Sequence, residues 1–151
     1  MLGMYQSYYQ SLEFLSFYKM EYIYEENFKV RDYECDLQGI VNNANYQHYM
    51  EHTRHQYIKT IGIDFADMHN RGIDLVVTHV DLRFKRSLKS GDEFVCKLNV
   101  KKEGLKYVFY QDIYQLPGNN LVNRGIIESV ATVNGRLTKC GEVDKALNLE
   151  D

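Results

Sequence analysis

The chain has 151 residues, 44% of them hydrophobic and 26% charged, the make-up of one soluble globular domain. Ten glycines and a single proline exclude a collagen-like or disordered polymer, and a net charge of −3 removes the usual footprint of a nucleic-acid binder. No apolar run is long enough to span a bilayer, and Cys35, Cys96 and Cys140 are too few and too scattered for a disulfide scaffold or a structural zinc site. A cytoplasmic location is therefore expected, because a reducing compartment suits three unpaired thiols.

The first stretch reads differently from the rest. Six of the thirteen tyrosines fall in the first 24 residues, and Gln6, Gln10 and Glu13 break up the apolar positions. No basic leader precedes them, so the stretch does not read as a signal peptide. Two readings stand: a stretch upstream of a start at Met20, or a short docking helix. Residues 1–22 are accordingly set apart as an extension, 23–145 as a single domain and 146–151 as a tail.

Residues 27–33 alternate, with Phe28 and Val30 on one side and Lys29 and Arg31 on the other, which predicts a half-buried strand. Gly39 and the asparagines that follow interrupt it, and Asn42, Asn43 or Asn45 can each cap a helix. That helix is expected to reach Thr60, burying Tyr46, Tyr49, Met50, Tyr57, Ile58 and Ile61 and ending at Gly62. A short helical turn over 65–71 comes next. Strands are then expected over 75–84, 94–101, 106–114 and 126–133, with turns at 89–92, 103–104 and 117–120 and a stop at Asn134-Gly135.

Strands joined by hairpins make an antiparallel sheet, and one long helix covers only one of its faces. The fold class is α+β, with a sheet of about five strands curled around a central helix. Val95, Val108, Tyr110 and Ile127 are too apolar for a wet outer face, so a dimer is expected.

The chemistry concentrates in Asp36-Leu37-Gln38-Gly39-Ile40-Val41-Asn42-Asn43-Ala44-Asn45-Tyr46. A carboxylate is followed seven residues later by a helix start, whose unpaired N–H groups and partial positive charge attract an oxyanion. On spacing alone this is equally a capping acid beside a turn glycine. The stretch from Val30 to Tyr46, running into Tyr49-Met50-Glu51, resembles the signature of hotdog-fold acyl-CoA thioesterases, nearest to the 4-hydroxybenzoyl-CoA thioesterase family. Phe84-Lys85-Arg86-Ser87-Leu88-Lys89-Ser90-Gly91-Asp92 is similar to that family's second landmark, an aromatic strand end, a basic turn and Gly-Asp.

The resemblance implies the hotdog fold and hydrolysis of an acyl thioester to the free acid and coenzyme A, with no cofactor and no metal. It makes Asp36 the catalytic carboxylate, either a general base on water or a nucleophile through a mixed anhydride. It gives the Asn43 N–H to the thioester carbonyl oxygen, and the turn between them to Gly39. Tyr46 becomes a candidate wall of the acyl pocket. Arg86 and Lys89 stand where relatives meet coenzyme A phosphates, often from a neighbouring subunit, so a homodimer or tetramer with shared sites is implied.

The chain departs from the family at Asn43, where many relatives carry histidine, and at Ser87, where proline is common. Asparagine at position 43 occurs in acyl-acyl-carrier-protein thioesterases, so a carrier-protein substrate is the alternative to acyl-CoA. A non-catalytic acyl-CoA-binding module and a hydratase also stand, the latter disfavoured by the missing histidine. His48, His52 and His55 share one helical face, but H-E-x-x-H is absent. Glu51 falls too far along the helix to serve as the acid. Cys35 points away from Asp36 in an extended chain, whereas Glu34 is either on its side, where repulsion would raise the Asp36 pKa, or equally a solvated acid.

Overall fold

The computed structural model describes residues 21–149. Strand β1 (Tyr24–Lys29) leads through a one-turn 3-10 helix (Asp32–Glu34) to the long helix α1 (Asn43–Thr60) and the short helix α2 (Phe65–Asn70). Strands β2 (Ile73–Phe84), β3 (Glu93–Glu103), β4 (Lys106–Gln115), β5 (Asn120–Val133) and β6 (Arg136–Leu137) follow, and helix α3 (Gly141–Ala146) closes the order. The sheet is antiparallel in the order β1-β3-β4-β5-β2, with β6 added to the end of β5.

Helix α1 lies on one face of this sheet. Asn42 is its cap: the side-chain Oδ1 accepts from the Ala44 N–H at 3.0 Å, leaving Asn43 as the first helical residue. At the other end Gly62, at φ +83°, and Ile63 donate to Lys59 and Ile58 carbonyls, which satisfies the last turn. The buried residues Tyr46, Tyr49, Met50, Tyr57 and Ile58 face Phe94, Cys96, Leu98, Phe109, Ile113 and Ile127 across the core. Helix α1 packs tightly on the sheet at Gly125, where an added Cβ would stand 2.6 Å from the Met50 sulfur and 3.0 Å from Leu82. A larger residue there would require the Met50 and Leu82 side-chain ends to shift.

Four expectations need correction. The first strand stops at Lys29, because Asp32–Glu34 turn into the 3-10 helix. Strand β5 begins at Asn120, six residues ahead of its expected start, as the register irregularity beside Tyr114 and the polar run Asn123-Arg124 hide its alternation. Strand β6 and helix α3 were not foreseen, yet Val143 and Leu147 of the C-terminal segment are buried in the common core. Finally, Ile127 faces α1 beside Met50, and Val95 and Val108 are buried at 3% and 2% exposure within the single chain.

The exposed apolar surface lies elsewhere. Val76, Val77 and Phe84 on β2 are 44%, 45% and 49% exposed. Among the described residues, strand β2 pairs only with β5, which leaves its outer edge of twelve residues without a partner strand there. Of the N-terminal extension, Tyr22 is described. Its hydroxyl donates to Asp112 Oδ2 at 2.5 Å and lies 2.8 Å from the Tyr114 hydroxyl. The readings of Met20 and the residues before it lie outside the described residues.

Candidate active site

The loop between the 3-10 helix and α1 is a tight reversal. Cys35 and Val41 form an isolated antiparallel bridge, Asp36 N–H donates to Ile40 O at 2.9 Å, and Gly39 N–H donates back to Asp36 O at 3.0 Å. Gly39 sits at φ +77°, a conformation that a residue with a Cβ adopts only under strain. Asp36 is exposed at this reversal. Its Oδ1 accepts from the Gln38 N–H at 2.8 Å, and no cation lies within ion-pair distance of it among the described residues.

Buried Leu88 ties the loop to the basic turn: its carbonyl accepts from Val41 N–H at 2.9 Å, and its own N–H reaches the Tyr46 hydroxyl at 3.4 Å. The turn is anchored on its other side as well. Lys85 and Arg86 N–H groups both donate to Val122 O, at 2.8 and 3.1 Å, while Gly91 and Asp92 bond with Val30. A pocket of about 220 Å³ opens between the two segments, lined by Ile40, Val41, Asn43, Tyr46, Phe84, Lys85, Arg86 and Ser87.

Asn43, Tyr46 and Arg86 are thus brought to one pocket, whereas Asp36, Gly39 and Lys89 are outside its lining. The Asn43 N–H finds no acceptor among the described residues, since the cap is taken by Ala44 N–H and the Asn42 carbonyl by Asn45 N–H at 2.9 Å. It stands at the positive end of an 18-residue helix. The Tyr46 ring meets Phe84 edge-on at 5.5 Å, and burial raises the Tyr46 phenol above its ordinary pKa. Lys85, Arg86 and Lys89 are exposed and have no ion-pair partner among the described residues. Lys85 was not singled out from sequence, although it stands directly beside Arg86.

Glu34 differs from the sequence reading. Its carboxylate turns inward, 9% exposed, accepting from the Tyr49 hydroxyl at 2.7 Å and the Arg31 N–H at 2.9 Å. Its carbonyl accepts from Asn42 N–H and Asn45 Nδ2, so Glu34 braces the helix start. The pairing with Tyr49 spans fifteen residues, which local spacing does not reveal. Histidines 48, 52 and 55 have separate surroundings: His48 lies 4.0 Å from Glu51, His52 meets Phe28 and His55 meets Phe65.

Residues 30–136 match the model of the thioesterase-like superfamily. The chain is 35% identical over 99 residues to the acyl-acyl carrier protein thioesterase ATL3 of Arabidopsis thaliana, an alignment covering 65% of this chain and 52% of that protein. It is 31% identical over 98 residues to the putative acyl-CoA thioesterase YneP of Bacillus subtilis, covering 64% and 71%. The chain spans about half the length of the plant relatives. Among solved structures it is similar to Slr0204, a 1,4-dihydroxy-2-naphthoyl-CoA thioesterase from Synechocystis, with a TM-score of 0.78 at 13% identity, covering 83% of this chain and 95% of that one. A protein of Aquifex aeolicus gives a TM-score of 0.77 at 24% identity, covering 82% and 98%. The fold is the hotdog fold.

Proposed function

We propose, starting from the fact that the chain belongs to the thioesterase-like superfamily, that it hydrolyses acyl thioesters of coenzyme A to the free acid and the thiol. One observation carries the reading: Asn43, whose N–H has no acceptor among the described residues, lines, at the start of α1, a pocket rimmed by Lys85 and Arg86. An amide in that position is suited to hold the thioester carbonyl oxygen as negative charge develops on it. The Asp36 carboxylate, outside the pocket lining but on the loop that brings Ile40 and Val41 into it, and with one oxygen left free by Gln38, would then activate water or attack the carbonyl carbon itself. The exposed cations of the 85–89 turn fit the phosphates of the pantetheine-bearing carrier.

A carrier-protein thioester is the second reading, favoured by the identity of 35–36% to two plant acyl-acyl carrier protein thioesterases. The phosphopantetheine arm is common to both substrates. The active assembly is proposed to be a dimer joined along the open β2 edge, which would cover Val76, Val77 and Phe84. A tetramer would pair such dimers.

The test is thiol release from matched acyl-CoA and acyl-carrier-protein esters over several chain lengths. Saturable release from one or both is expected. Saturable binding without release would replace hydrolysis by a binding role, and a change in enoyl absorbance without thiol release would point to a hydratase.

A further inference from the structure

Asn123 is fully buried, at 0% exposure, and neither its side-chain oxygen nor its side-chain nitrogen has a hydrogen-bond partner. Such groups are rare, because an unpaired buried amide costs about 1–3 kcal/mol. Its place in the sheet is well defined. In the ladder Asn123 stands opposite Phe84 of β2 and Ile113 of β4, and residues opposite one another share a face. That face is the one under α1, since Phe84 meets Tyr46 and the next pair along, Leu82 and Gly125, meets Met50.

The surroundings offer the amide nothing. Ile113 is apolar and 0% exposed, and Gln111, one step along β4, is already engaged by Arg54 and the Met50 carbonyl. Phe84, by contrast, is 49% exposed and lines the Asn43 pocket with Tyr46. Asn123 itself is not among the residues that line this pocket, but Phe84, its partner across the ladder, is.

We propose that Asn123 is a specificity-determining residue that hydrogen-bonds an oxygen substituent, a hydroxyl or a keto group, on the acyl group of the substrate. The inference rests on the thioester reading of the pocket. A primary amide is suited to the task because it both donates and accepts, so it serves a keto oxygen and a hydroxyl alike. An acyl group lacking the oxygen would leave the amide unpaired and gain only apolar contact with Tyr46 and Phe84.

The test uses non-hydrolysable pantetheine thioethers, which carry the arm common to coenzyme A and carrier protein. A plain chain is compared with chains bearing a keto group at successive carbons, and binding is measured by calorimetry. The wild type is expected to bind one keto chain about tenfold or more tightly than the plain one. Asn123→Leu, close in shape, should lose that preference by weakening the keto chain alone. The Asn123 side-chain amide resonances of the wild type should shift with the keto chain and not with the plain one, a readout that needs no variant. Equal affinities in the wild type, a preference retained in Asn123→Leu, or no binding by any analogue would overturn the proposal. Thiol release from the corresponding thioesters is followed separately. Binding with the predicted preference but without release would remove the hydrolytic reading and leave the role of Asn123 standing.

Discussion

Three carboxylates show how position decides role. Asp36 is exposed at a turn and held by one backbone N–H, the condition of a group that is free to meet a substrate. Glu34, two residues earlier, is buried against Tyr49 and serves the backbone instead. Asp144 is buried in the C-terminal helix, where it accepts from Lys102 Nζ at 2.5 Å and the Tyr107 hydroxyl at 2.6 Å. Burial pushes the Asp144 carboxyl up, but those two hydrogen bonds and the charges of Lys102 and Lys139 outweigh it and hold the pKa below the ordinary value. A depressed folded-state pKa stabilises the fold above the unfolded pKa and loses that stabilisation as pH falls through the folded one. Denaturant melts of Asp144→Asn are accordingly expected to show a loss of about 3 kcal/mol at neutral pH, from the stranded Lys102 charge, and a shallower decline in acid than the wild type. Parallel stability curves in acid would show that Asp144 carries no such linkage. The short motif around Asp36 was legible because its turn and cap are local. The inward turn of Glu34 and the isolation of Asn123 were not, since each depends on a neighbour brought in by the sheet or by α1.

At the level of elements, strong alternation and capping chemistry were enough for the long pieces. Phe94, Cys96, Leu98 and Val100 announced β3, and the cap candidates Asn42, Asn43 and Asn45 with Gly62 bracketed α1 to within a few residues. Reading failed where a polar residue occupies a core-facing position. Asn123 and Gly125 both face α1, so β5 lacked the apolar rhythm of a strand over its first half. The same two residues have opposite effects on the space beneath the helix. Gly125 lets Met50 down onto the sheet, and Asn123, one step nearer the helix start, lies opposite Phe84, whose ring lines the pocket with Tyr46. Helix α3 went unread because six residues give too short a stretch for periodicity, although Val143 and Leu147 belong to the core.

For the whole molecule, the sheet has two different edges. Strand β1 is short, while β2 presents twelve residues with exposed valines at its outer edge. An edge of that kind invites pairing with another copy, and charge placed on it prevents pairing. Val77→Lys is expected to move the protein from dimer to monomer in light scattering, with loss of thioester hydrolysis if the two copies share their sites. A wild type that is monomeric at working concentrations would remove this edge from the account. The sequence argument for a dimer used the wrong residues, because Val95 and Val108 are already covered and Ile127 faces inward. The surface proposed to take a partner is β2, which ends at Phe84 beside the candidate pocket.

The central claim is that a carboxylate at the loop before α1 drives thioester hydrolysis at the helix start. Thiol release by wild type and Asp36→Asn, measured side by side on the best ester, tests it most directly. Turnover in the variant is expected to fall by about a hundredfold or more, with the melting temperature and oligomeric state unchanged. Turnover retained in Asp36→Asn would contradict the assignment and move the catalytic carboxylate elsewhere.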